Sequence, residues 1–445
     1  MPASPDRGAA PERGGRRRTA SVARAEAASG PVVSRRDLLR LGALAAIAGP
    51  AALAGCFSGS GGSSPGASAS VGPSPTPGGA ASPTPGTAFA DGRVRIGYLP
   101  ITDAAPLLLA HARGLYAEEG LTVDRPTLFR GWSQIAEAFQ AGQVDVVHLL
   151  MPMTVWLRFG SQVPLKVVAW DHTGGSALTV APSVERLEDL AGTTVAVPFW
   201  YSIHNIVLQL LLREAGLQAV TSGEPSAGEG TVKLVVMAPP DMPPALANGS
   251  IAGFIVADPF NAVAEVNGIG RIGRFTGDVW LDHACCVVTV GEVAVAGAPD
   301  VVERVVTAVA RAQLWARDNR AEAARLLSAD GDNYLPQPRA AIERALTHYD
   351  PAEYEPTGAI RHPDWSTGRI GFQPFPFPSY TESLVRFLGE TLVEGDRSFL
   401  DRLDPAAAHG ELVDDRFVRA AIDRLGGPAA FGLPDDLTRS ERIEP

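Results

Sequence analysis

The chain has 445 residues, 45% of them hydrophobic, and a formal net charge of −11. That length supplies a core for two lobes. Residues 1–55 hold nine arginines and four acidic residues, which leaves 29 basic and 45 acidic residues and a net −16 for the remainder. So acidic a body speaks against nucleic acid as a partner.

In chain order, Ser34-Arg35-Arg36-Asp37-Leu38-Leu39 resembles the twin-arginine export motif, and residues 41–53 form an apolar stretch behind it. The stretch is short and rich in Ala and Gly, where a membrane span needs ~20 apolar residues. Leu53-Ala54-Gly55-Cys56 resembles a lipobox. The expectation is a signal peptide over 1–55, lipid on Cys56 and a cell-membrane location on the extracytoplasmic face. Residues 56–90, rich in Gly, Ser and Pro, read as a disordered linker.

The stretch 94–116 reads as strand, turn and helix. Val94, Ile96 and Tyr98 alternate with Arg95, Gly97 and Leu99, and Pro100 stops the strand. Thr102 or Asp103 is expected to cap the helix, Pro106 to sit in its first turn and Gly114 to end it. A helix N-terminus at a strand's carboxyl end offers free N–H groups to a ligand. A second strand is expected over 121–128, then a helix over 134–141 with Ser133 as N-cap. Further strands are expected near 144–150, 165–170, 177–181, 195–197, 232–237 and 252–257. Met151-Pro152 opens another helix, Ser202 caps one over 203–215, and Asp258-Pro259 stops the 252–257 strand. Alternating β and α at these spacings predicts parallel α/β sheets. From residue 300 the pattern turns helical, over 300–328, 338–348 and 380–395. Cys285 and Cys286 fall in the apolar run ACCVVTV and read as buried strand residues, with a redox or metal role as the alternative.

Four stretches in order carry a resemblance: IGYLPITDAAPLLLAHARGLYAEEGL, AGQVDVV, LEDLAGTTVAVP with the following histidine helix, and ADPFNAVAEVNGIG. They resemble the nitrate/bicarbonate-type solute-binding proteins of ABC transporters and, more distantly, the sulfonate and taurine binders. The resemblance implies a type II periplasmic-binding-protein-like α/β fold: two mixed sheets with helices, a hinge, a cleft and a helical C-terminal tail. It places lobe 1 at 91–180 with 284–435, lobe 2 at 181–283, and crossing strands near 177–181 and 284–290. It implies an extracytoplasmic lipoprotein that delivers a small molecule to an ABC permease and its ATPase, with no cofactor and no metal.

By position in the family, ligand contacts would come from Thr102, Asp103, Trp132, Met151, Pro152, His204, Ala257 and Asp258. Two positions depart. Ser176 stands where the nitrate binders carry a glutamine. Leu281, within Trp280-Leu281-Asp282-His283, stands where they carry a lysine. Loss of that charge leaves a larger or less charged solute as open as nitrate, and Phe199-Trp200-Tyr201 could line its pocket. His172 and His283 read as structural. An enzyme on the same two-lobe fold and a surface sensor lipoprotein are the competing readings. HExxH is absent, the one GxSxG match (Gly62 to Gly66) falls in the linker, and the only lysines are Lys166 and Lys233, which speaks against an enzyme.

Overall fold

The computed structural model describes Phe89 and residues 91–445 apart from 366 and 367. The export motif with Arg35 and Arg36, the lipobox Cys56 and the linker lie outside the described residues. No described helix is long and apolar enough to cross a membrane.

The described residues form fifteen strands. They are β1 (Arg93–Val94), β2 (Ile96–Tyr98), β3 (Thr122–Val123), β4 (Thr127–Leu128), β5 (Val146–Leu150), β6 (Leu165–Trp170), β7 (Thr173–Gly174) and β8 (Ser176–Val180). Then come β9 (Thr194–Val197), β10 (Gln218–Val220), β11 (Thr231–Val236), β12 (Gly253–Ala257), β13 (Arg271–Phe275), β14 (Cys286–Gly291) and β15 (Ile370–Gly371). One sheet has the order β4-β2-β5-β14-β6 and the other β10-β11-β9-β12-β8-β13. Most neighbours run parallel. The exceptions are β14, antiparallel to β5 and β6, and β8, antiparallel to β12 and β13. Central strands such as VVHLL of β5 and GFIVA of β12 are buried along their whole length, as helices on both faces of a sheet require.

Three local expectations change. The strand expected over 121–128 breaks into β3 and β4, because Pro126 between them has no N–H for a ladder. The next helix starts at Trp132, two residues earlier than expected, with Gly131 rather than Ser133 as its N-cap. Neither Thr102 nor Asp103 caps a helix: both sit in a 3₁₀ turn, Thr102–Ala104, whose N-cap is Ile101. Their side chains are drawn to long-range partners instead. The helix that follows, Ala105–Ala112, does carry Pro106 in its first turn, and Gly114 has φ +71°.

The chain after residue 298 returns over both sheets. Helix Pro299–Asp318 packs on Ala105–Ala112 and Arg416–Arg424, while helix Arg339–Thr347 packs on Phe260–Val266 beside the second sheet. β15 pairs antiparallel with β7. Buried Arg369, just before β15, donates through Nη2 to Asp258 (2.9 Å) and through Nη1 to Glu265 (2.8 Å). Glu265 also takes Arg344 at 2.9 Å and the Tyr354 hydroxyl at 2.7 Å. Helix Pro378–Glu390 packs on Met151–Val155 and Pro405–Leu412. The segment after it reaches the second sheet's helix Ile203–Glu214. Asn205 and Gln209 donate to the Leu392 carbonyl at 3.0 and 2.9 Å, Leu392 N–H returns to Gln209 at 2.9 Å, and the Tyr201 hydroxyl donates to the Asp396 carbonyl at 3.1 Å.

Candidate functional site

The carboxyl ends of both sheets' strands point at one place, the position where open α/β sheets bind ligands. From the first sheet come Thr102 and Asp103 after β2, Met151 and Pro152 after β5, Asp171 and His172 after β6, and Cys285 before β14. From the second come Ser176 at the start of β8, His204 in the first turn after β9, and Ala257 with Asp258 at the end of β12. All are buried. The two groups touch. Thr102 donates its N–H (2.7 Å) and hydroxyl (3.0 Å) to the Asp258 carbonyl, and the Cys285 sulfur lies 3.8 Å from His204 Nε2.

A charged core forms on the first-sheet side. Asp103 Oδ2 is 2.9 Å from His172 Nε2, and both side chains are fully buried. Burial lifts the Asp103 carboxyl to about 7, with Cys285 adding to the rise and His172 opposing it. Burial works against the His172 imidazolium, yet the charge and hydrogen bond of Asp103 prevail and raise it to about 10. The Cys286 N–H also donates to His172 Nε2, at 3.3 Å. Burial also opposes a Cys285 thiolate. The Cys286 thiol, His204 and His172 together overcome this and bring Cys285 well below the ordinary thiol range, while Cys286 is pushed well above it. The two sulfurs are 3.9 Å apart, both thiols free. Burial drives the Asp171 carboxyl well above its ordinary value.

Two histidines of the surrounding wall, His148 and His283, are neutral. His148, inside β5, accepts the Leu99 N–H at 2.8 Å through Nε2. Burial lowers its pKa to about 3, so the ring is neutral and its proton sits on Nδ1. Trp132 packs on this ring at 5.6 Å between centroids. Among the described residues, Trp132 Nε1 and His148 Nδ1 have no hydrogen-bond partner. Two orphaned buried donors on one wall are what a ligand acceptor would satisfy. On the second-sheet side His204 Nε2 lies 3.0 Å from Ser176 Oγ. The Thr276 hydroxyl donates to the Ser176 carbonyl (3.0 Å), so it accepts from His283 Nε2 (2.8 Å), and the His283 proton is thereby fixed on Nε2. Burial lowers this histidine to about 4. Gly175, at φ +76°, lets the chain pass where a Cβ would stand 3.2 Å from His172 Nδ1.

Asp103, Ser176 and His204 of the sequence-derived set join this core, and Trp132 reaches it through His148. Met151 is tied in by its N–H, which donates to the Cys285 carbonyl at 2.8 Å, and it brings Pro152 beside it. Thr102, Ala257 and Asp258 form the inter-sheet contact, but the Asp258 carboxylate is already taken by Arg369. Leu281 stands apart. It is half-buried, and its N–H donates to the Arg442 carbonyl at 3.0 Å. His172 and His283, read as structural, belong to the core, as does His148. A polar Asp171-His172 pair directly after the apolar strand LKVVAW was the available signal. His148 had only its place inside VVHLL. Phe199, Trp200 and Tyr201 line a separate depression of about 670 Å³ with Trp156 and Phe399. There Trp156 and Tyr201 stack at 5.5 Å.

Two sheets meeting at a buried polar junction define a periplasmic-binding-protein fold. Residues 89–328 match the model of the NMT1-like family, more than half of the chain, and the protein belongs to that family. Among its relatives, the nitrate/nitrite binding protein NrtA of Nostoc sp. is 24% identical over 281 residues, 58% of this chain and 62% of that protein. The nitrate import ATP-binding protein NrtC of Synechocystis sp. is 28% identical over 201 residues, 42% of this chain and 29% of that one. The chain thus spans less than two thirds of the length of these curated relatives. In fold it resembles the periplasmic nitrate-binding protein NrtA from Synechocystis PCC 6803, with a TM-score of 0.64 and 19% identity over 79% of this chain and 94% of that one. The alkanesulfonate-binding protein SsuA from Xanthomonas axonopodis pv. citri, bound to MOPS, gives a TM-score of 0.54 and 16% identity over 73% and 98%.

Proposed function

We propose that this chain is the extracytoplasmic solute-binding component of an ABC importer. It captures a small solute of the nitrate, sulfonate or bicarbonate class, or a related organic compound, and passes it to a permease and its ATPase. The observation that carries this reading is the buried junction of strand ends from both sheets, with the orphaned donors Trp132 Nε1 and His148 Nδ1 on its wall. The reading takes 91–175 with 284–435 as one lobe and 176–283 as the other. The first boundary moves from 180 to 175 because β8 pairs only with β12 and β13. Hinge closure between the lobes is the working motion. Export through the Arg35-Arg36 motif and lipid on Cys56 keep the protein at the outer face of the membrane. The role is capture rather than catalysis.

The solute is expected to be other than bare nitrate. Lys166 donates to the Glu411 carbonyl at 2.6 Å, and Lys233 lies on β11 of the second sheet, so no lysine faces the junction. The test is thermal melting of the purified full-length protein against nitrate, bicarbonate, alkanesulfonates and small organic solutes. A true ligand at a hundred times its Kd adds about 2.7 kcal/mol. Trp132→Ala should remove that gain. A panel in which nothing shifts the melting temperature, or a shift untouched by Trp132→Ala, refutes the site.

A further inference from the structure

We infer that the first-sheet side of this junction is a binding site for one divalent cation of the zinc class, held by Asp103, His172, Cys285 and Cys286. The inference goes beyond the solute reading and does not depend on which solute is captured. One ligand atom from each of the four residues lies within 4.8 Å of all the others, and all four side chains are fully buried. Tetrahedral zinc with Zn–S bonds of ~2.3 Å places two thiolate sulfurs ~3.8 Å apart. The Cys285 and Cys286 sulfurs stand 3.9 Å apart. Both cysteines are free, and at that separation neither sulfur is bonded to the other.

The donor set is one carboxylate, one imidazole and two thiols. Oxygen-seeking cations such as magnesium and calcium use carboxylates and carbonyls, whereas thiolates with imidazole select zinc-class ions. The four ligands come from three strand ends of one sheet, so the site is complete without the second sheet. Swinging the second sheet away would expose it. The outer contacts also fit. His204 Nε2 stands 3.8 Å from the Cys285 sulfur and is oriented by Ser176, and the Met151 N–H holds the Cys285 carbonyl. Groups of this kind orient ligands and adjust their basicity. A dication would also offset the burial of a carboxylate and two thiolates together, a cluster of like charge that is costly without one.

Binding exchanges protons for metal: His172 ligates as the neutral imidazole and the cysteines as thiolates, with no change of oxidation state. Cobalt(II) is the probe, because its spectrum reports ligands directly. The reduced, chelator-stripped full-length protein is titrated with cobalt(II). The expected result is a tetrahedral d–d spectrum with thiolate-to-cobalt charge transfer, saturating at one equivalent and bleached by one equivalent of zinc. Cys286→Ser should reduce the charge transfer by about half and weaken binding at least tenfold, since outer-shell changes alone cost about 10–100-fold. If that variant does not fold, thiol alkylation of the unaltered protein decides: zinc should protect both Cys285 and Cys286. An octahedral cobalt spectrum without charge transfer overturns the inference. So do thiols that zinc leaves open to alkylation, and binding that Cys285→Ser with Cys286→Ser retains in full.

Discussion

Replacing Arg369 by Met tests how the tail is fastened to the second sheet. The guanidinium is buried and paired with Asp258 and Glu265 at once. Glu265 keeps Arg344 and the Tyr354 hydroxyl after the change. Asp258 is fully buried and keeps only the Ala262 N–H at 3.1 Å. The loss is therefore concentrated on one uncompensated carboxylate, and methionine replaces most of the lost apolar volume. Removing one partner of a buried pair costs about 3–5 kcal/mol. An unfolding entropy of ~2.1 cal/mol/K per residue over roughly 350 residues converts this to a fall of about 4–7 °C in Tm. Calorimetry of the full-length protein at neutral pH measures it. Arg369→Met combined with Asp258→Asn should regain most of the loss, because the stranded charge is gone. The acid limb gives a second readout. Burial pushes Glu265 up, but Arg369 and then Arg344 and Tyr354 outweigh it and hold its pKa below the ordinary value. A depressed carboxylate contributes stability above its unfolded pKa of about 4.3 and loses it as pH falls through the lower folded value. That acid limb should flatten in Arg369→Met. A variant that melts within about 1 °C of the parent, or a double variant worse than the single, would refute the ion pair as the fastening.

Ser202→Ala removes the N-cap of helix Ile203–Glu214, where the hydroxyl oxygen accepts the Asn205 N–H at 3.1 Å. It should cost about 1 kcal/mol, read by denaturant unfolding. Cys56→Ser should release the protein from membranes into the medium, and retention after carbonate washing would count against the lipobox. Arg35 and Arg36 to Lys should block export, as seen by fractionation, and undiminished export would point to the general secretory route.

The alternation of strands and helices was legible because it is local. Pro106 in a first turn, Gly114 at positive φ and Ser202 as a cap each act within a few residues. The break at Pro126 was legible too, had the absent N–H been weighed against the apolar pattern. The long-range partners were not. Asp103 finds His172 sixty-nine positions away, and Thr102 finds the Asp258 carbonyl 156 positions away. Nothing near Asp103 distinguishes a helix cap from half of a buried pair, because both need a short carboxylate after a strand. The family resemblance put a lysine position on Leu281, whose N–H reaches the Arg442 carbonyl. The Arg369 strap had no local signal either, since a lone arginine in an irregular segment is usually solvated.

The bonds to Leu392 and Asp396 govern how fast anything could enter. If the second lobe swings while the tail stays on the first, the four hydrogen bonds of this latch must break, those of Asn205, Gln209 and Tyr201 to the two carbonyls and that of Leu392 N–H to Gln209, along with the Arg369 and Arg344 pairs and the Thr102 contact with Asp258. At about 0.5–1.5 kcal/mol each, the latch alone adds roughly 2–6 kcal/mol to the cost of opening. The latch alone thus lowers the receptive population by a factor of about thirty at the low end and tens of thousands at the high end. Arrival and departure slow together, so the latch makes residence time, rather than tightness, a property of the tail. A permease that pried Leu392 loose would speed unloading without touching the cleft.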